Sequence, residues 1–136
     1  MKAADHIDAL EKLIVDSPII QSSQIKERRV RRFDAYIKVR LTLIDDSVLE
    51  VTEYIHAEEE NHAEIKRYTY HWMNPSGQLQ LRWDNVGHYP KLAGFPHHLH
   101  DHDEKQVVPS EPMTLFKVLQ QLGEVMTSPR YRPSSH

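Results

Sequence analysis

The chain has no cysteine, which excludes disulfides and thiolate metal sites, so any metal would have to be held by histidine and carboxylate. It has no run of apolar residues long enough to span a bilayer. Its start, "MKAADHIDALEKLIVD", lacks the basic-then-apolar order of a signal peptide, so the expectation is a cytoplasmic protein without membrane contact. No internal repeat is present. What remains is 136 residues of ordinary apolar and charged content, enough for one compact core.

The net charge of −3 conceals a division along the chain. Lys26, Arg28, Arg29, Arg31, Arg32, Lys38 and Arg40 crowd residues 26–40, opposed only by Glu27 and Asp34. Residues 41–65 carry eight acids and no Lys or Arg. A basic stretch of this density suits phosphate backbones. Equally, a basic strand lying beside an acidic one would pair its charges across a sheet.

Periodicity gives the frame. Ile7, Leu10, Leu13 and Ile14 recur at helical spacing, predicting a helix over about Ala4 to Val15 that Pro18 terminates. "DAYIKVRLTLI", "VLEVTEYIHA", "AEIKRYTYHWMN" and "QLQLRWDN" then read as strands by period-two alternation, the last two joined by the turn "NPSG". In the third of these, Lys66, Tyr68, Tyr70 and Trp72 fall on one face and Ile65, Arg67, Thr69 and His71 on the other. From Val86 to Pro112 regularity stops, and a segment of this length reads as a functional or disordered loop. A helix over about Met113 to Met126 follows, with Leu115, Leu119, Leu122 and Val125 as its buried stripe. The expected fold is α+β: an antiparallel sheet of four to five strands flanked by an N-terminal and a C-terminal helix, one domain over 1–127, and a disordered tail over 128–136.

The irregular segment holds "GFPHHLHDHD", with four of the ten histidines at His97, His98, His100 and His102. If extended, it places His98, His100 and His102 on one side, where an H-x-H pair can hold zinc or a similar divalent transition metal, with Asp101, Asp103 or Glu104 as an oxygen donor. The same imidazoles suit acid–base chemistry. Cleaving RNA without a metal needs a base for the ribose 2′-hydroxyl, an acid for the leaving oxygen and a cation at the phosphate. His71, His97, His98 and His100 are the proton carriers on offer, and Arg67 and Arg82 the cations. A solvated His-rich loop beside an amphipathic hairpin is the plainer alternative. Tyr70, Trp72 and Trp83 read as core, and Asp84-Asn85 as a strand end as readily as a catalytic acid.

"YTYHWMNPSGQLQLRWDNVGHYPKLAGFPHHLH" followed by "VPSEPMTLFKVLQQL" resembles the TumE family, toxins of bacterial and archaeal toxin–antitoxin pairs. The likeness covers roughly residues 35 to 122 and rests on R-W-D-N, F-P-H-H-x-H and S-E-P-M-T. It implies a small type II toxin and a cognate antitoxin that neutralises it by direct binding. On these motif positions it marks Arg82, Asp84, His97, His98 and His100 as the site, with His71 as neighbour. A metal-independent ribonuclease is the reading of the His and Arg supply. In it, His97 or His98 is the base, His100 or His71 the acid, Arg82 the phosphate clamp, and Asp84 orients a partner. Arg28, Arg29, Arg31, Arg32 and Arg67 would follow the RNA backbone. The alternatives are a metal-dependent nuclease or phosphotransferase using His98 and His100, and a non-enzymatic module that binds the antitoxin or nucleic acid. The sequence leaves a homo-oligomer open.

Overall fold

The computed structural model describes residues 1–133. Helix α1 (Ala3–Asp16) leads into strands β1 (Ile20–Val30), β2 (Asp34–Leu43), β3 (Val48–Ala57), β4 (Ala63–Met73), β5 (Leu79–Asp84), β6 (His98–Asp101) and β7 (Val107–Pro109), and helix α2 (Leu115–Thr127) follows. The strands lie in chain order in one sheet, and every neighbouring pair is antiparallel. The class is α+β with an antiparallel sheet and a helix at each end of the chain, as the sequence reads. The strand count corrects the expected four to five to seven. The extra strands lacked the alternation that marks a half-buried one. β1 is an edge strand with almost every residue exposed, while β6 and β7 are only four and three residues long.

One face of the sheet carries the core. Ile37, Val39 and Leu41 of β2, Leu49, Val51 and Ile55 of β3, and Tyr70 and Trp72 of β4 pack there against Ile7, Leu10 and Ile14 of α1. Leu115, Val118, Leu119 and Leu122 of α2 join the same cluster. Burying each of the larger aliphatic side chains contributes about 1.5–3 kcal/mol. Asp5 accepts from the Lys2 backbone N–H at 2.7 Å at the start of α1, and Thr114 Oγ1 accepts from the Lys117 N–H at 3.2 Å at the start of α2. Val125, expected on the buried stripe of α2, is 40% exposed, because that stripe ends at Leu122.

A second correction concerns β4. The register passes from Tyr54 opposite Arg67 to Ile55 opposite Ile65, so Lys66 is an extra residue in a bulge. Ile65 therefore returns to the core face, although simple alternation groups it with Arg67 and His71. The tail read as disordered over 128–136 is described as far as residue 133, where the Tyr131 hydroxyl donates to Asp45; residues 134–136 lie outside the described residues. Among the described residues no helix is long and apolar enough to cross a membrane.

Both helices lie over the apolar face, so the other face of the sheet is open. On it the antiparallel register sets side chains in rows. One row runs Arg40, Glu50, His71, Arg82, His100 across β2 to β6. The next runs Lys38, Thr52, Thr69, Asp84, His98.

Candidate active site

The middle of the histidine run, read from sequence as part of a loop, is strand β6 beside the hairpin. The β6 backbone pairs with β5, which sets His98 opposite Asp84 and His100 opposite Arg82. Period-two alternation then turns both imidazoles to the open face. Arg82, Asp84, His98 and His100 consequently meet, and with Val86, His88 and Tyr89 they line a pocket of about 240 Å³.

Asp84 is the hub. Its Oδ1 lies 2.8 Å from His98 Nε2 and accepts from the Val86 backbone N–H at 3.0 Å. Its Oδ2 accepts from Arg82 Nε at 3.3 Å and lies 3.8 Å from His100 Nε2. Asp84, His98 and His100 are all buried, each side chain 5% exposed or less. His98 Nδ1 faces the Pro96 carbonyl at 3.1 Å, so both its ring nitrogens meet acceptors. His100 differs. Its Nδ1 donates to the Glu104 carbonyl at 2.8 Å, and its Nε2 accepts from Arg82 Nη2 at 3.0 Å, which makes it the neutral tautomer. The Tyr89 ring stands edge-on to His98 at 5.0 Å between centroids and closes the pocket on that side. Arg82 also donates to the exposed Glu104 carboxylate at 2.8 Å.

His71, on β4, is the cross-strand partner of Arg82. Burial lowers its pKa from the ordinary 6.5, and the Arg82 charge lowers it further. Its Nε2 is buried and has no hydrogen-bond partner. His97 stands apart from the others, one position before His98 in the chain. Tyr68 Oη accepts from the Met113 N–H at 3.2 Å and donates to His97 Nδ1 at 2.7 Å, tying that imidazole to the core aromatics. Burial lowers its pKa, with the adjacent His98 adding to the effect. His102, exposed and at φ +62°, bonds its neighbour Asp101 and stays outside the cluster.

The basic segment divides. Arg28 pairs with Glu11 of α1 at 3.2 Å, and Arg32 with Glu60 at 3.2 Å. Arg31 lies 4.0 Å from Asp34. Arg40 meets Glu50 across the sheet at 3.0 Å, the basic-beside-acidic pairing that the sequence allows. Arg29 and Arg67 lie on the open face, over the rings of Tyr36 and Tyr54 at 5.6 and 5.5 Å.

A metal would find its ligands in one place, since Asp84, His98 and His100 each offer a donor atom within 4.8 Å of the others. Both imidazoles direct Nδ1 at a backbone carbonyl and Nε2 inward, an arrangement that metal-ligating histidines share. Sequence reasoning missed Tyr89, because an aromatic in an irregular segment carries no periodic signal.

The fold and the site define a class: an α+β protein with one antiparallel sheet, helices on one face, and a buried histidine–aspartate–arginine cluster on the other. A family model described as Toxin TumE matches residues 10–127, most of the chain, and the chain belongs to that family. Membership carries a toxin function and implies an antitoxin partner. No curated protein and no solved structure matches the chain.

Proposed function

We propose that this toxin, the active half of a type II pair, cleaves RNA by metal-independent transesterification at the open face of its sheet. The carrying observation is that two histidines of the open face, His71 in the row of Arg82 and His98 in the row of Asp84, have contrasting hydrogen-bond surroundings. His71 is held neutral with an unpartnered Nε2, while His98 is held between two acceptors by Asp84 and the Pro96 carbonyl. His71 takes the proton of a ribose 2′-hydroxyl, and the 2′-oxygen attacks phosphorus. Arg82 gathers the charge that develops on the non-bridging oxygens, taking the phosphate in exchange for the exposed Glu104 carboxylate. His98 gives its Nε2 proton, shared until then with Asp84 Oδ1, to the departing 5′-oxygen as the P–O5′ bond breaks, and the Nδ1 bond to the Pro96 carbonyl keeps the ring in place. The products are a 2′,3′-cyclic phosphate and a free 5′-hydroxyl. This reverses the roles expected from sequence, with His71 as base and His98 as acid.

A second reading draws on the carbonyl-anchored Nδ1 atoms. Asp84, His98 and His100 would hold a divalent transition metal such as zinc, which supplies Lewis-acid stabilisation of a phosphoryl oxygen. The experiment incubates pure protein with RNA in excess chelator and examines the new ends. Multiple-turnover cleavage leaving cyclic phosphates supports the proton-transfer reading. Activity that disappears with the metal and returns with added zinc favours the second. Stoichiometric binding without new ends overturns both and leaves a binding module.

A further inference from the structure

Beside the histidine cluster, on the same face, lies a cavity of about 430 Å³. Val86 lines both pockets, so the two are neighbours. Its floor is a single cross-strand row, Arg29 of β1, Tyr36 of β2, Tyr54 of β3 and Arg67 of β4. Each guanidinium lies over a tyrosine ring, so two arginine–tyrosine stacks stand side by side across four strands. Asp34 stands at the wall with one oxygen at 3.5 Å from the Tyr54 hydroxyl. Two polar atoms of this lining have no protein partner: the Nε donor of Arg29 and the Oδ1 acceptor of Asp34. Buried groups are rarely left unsatisfied, and a donor and an acceptor left so in one cavity point to a ligand that offers the complement of each.

We infer that this cavity is a nucleobase subsite that takes guanine from the RNA strand, selecting the nucleotide beside the scissile phosphate. The inference rests on the ribonuclease reading for the strand's course, but its recognition chemistry stands separately. A flat base stacks on the tyrosine–guanidinium row, as bases do on aromatic platforms. Among the four bases guanine alone presents two adjacent N–H donors, N1–H and N2–H, to a carboxylate such as Asp34. Its O6 and N7 accept from an arginine, the commonest specific arginine–base contact. Uracil and cytosine leave most of the platform uncovered, and adenine offers a carboxylate a single donor group. The phosphate of the same nucleotide then lies toward Val86 and Arg82.

The test measures binding of GMP, AMP, CMP and UMP to the full chain by calorimetry; a mononucleotide has no internucleotide phosphodiester, so catalysis does not intervene. GMP is expected to bind roughly tenfold more tightly than the others, the discrimination one bidentate base contact gives. Asp34→Asn, which replaces an acceptor oxygen with a donor, is expected to erase that preference while the melting temperature stays within a few degrees. Equal binding of all four nucleotides, or a GMP preference that survives Asp34→Asn, overturns the inference. RNA cleavage with no base preference also overturns it while sparing the ribonuclease reading. GMP selectivity without any RNA cleavage supports the subsite and sinks that reading instead.

Discussion

Asp84 and His98 face each other across β5 and β6 with Oδ1 and Nε2 2.8 Å apart, both side chains shut away from water. Removing one partner of a buried carboxylate–imidazole contact of this kind leaves the other short of its hydrogen bond, which costs about 1–3 kcal/mol. Asp84→Asn keeps the shape and removes the charge. The expectation is a loss of growth arrest together with a stability loss of about 1–3 kcal/mol, the cost of a weakened buried hydrogen bond. Denaturant unfolding and a growth assay read the two separately. An Asp84→Asn protein that is fully toxic would show that His98 needs no carboxylate to work.

His71 gives a test by pH. Burial and then the Arg82 charge hold its pKa below 6.5, so protonation of the base, and loss of RNA cleavage, comes only as the pH falls below that value. Observed by NMR, the His71 ring should titrate with a midpoint under 6.5, and Arg82→Gln should move the midpoint upward toward it. A midpoint above 6.5 in the wild-type protein contradicts the assignment of His71 as base.

Much of the site was legible before the fold. Placing Arg67 with His71 on one strand face, and Arg82 with Asp84 on the next, follows from alternation and holds in the structure. The approach of His98 and His100 to that pair did not follow, because a four-residue strand with histidines at alternate positions has no apolar signal. His97 was grouped with them because proximity in sequence cannot tell one face of a strand from the other until the strand is known to be one. The bulge at Lys66 was invisible for a related reason, since an inserted residue shifts the parity of everything before it. The apolar core, by contrast, was almost entirely readable, with Glu53 as its one charged intruder on the β3 face.

Glu53 should make stability fall with rising pH. It is 3% exposed, its Oε2 accepts from the Tyr70 hydroxyl at 2.7 Å, and burial raises its pKa from 4.5 to about 7 despite that bond. Below 4.5 the carboxyl is protonated whether folded or not. As the pH climbs from 4.5 through 7, only the folded chain retains the proton, so folding loses on the order of 3 kcal/mol across that window. Glu53→Gln keeps an acceptor for Tyr70 and cannot ionise. It should match the wild type at pH 4.5 and exceed it in stability at pH 8. A variant that follows the wild-type profile through the whole window would remove Glu53 as the cause.

Gly94 decides whether the histidine strand reaches the site at all. It adopts φ +82°, and a Cβ there would lie 2.8 Å from the Ser110 backbone oxygen, a contact that flexible side-chain motion cannot relieve. Gly77 in the turn between β4 and β5 has φ +88° but open space around its missing side chain. The two glycines therefore separate dihedral strain from steric collision. Gly77→Ala should cost only the left-handed backbone penalty, about 1–2 kcal/mol, and leave the toxin active. Gly94→Ala carries the same penalty and must also push apart the segment before β6 from the segment after β7, which carries His98 away from Asp84. Growth arrest should therefore disappear in Gly94→Ala while Gly77→Ala, compared at equal expression and with its melting temperature measured, retains it. Retained toxicity in both would show that the position of β6 tolerates movement and that the histidines act without tight registration on β5.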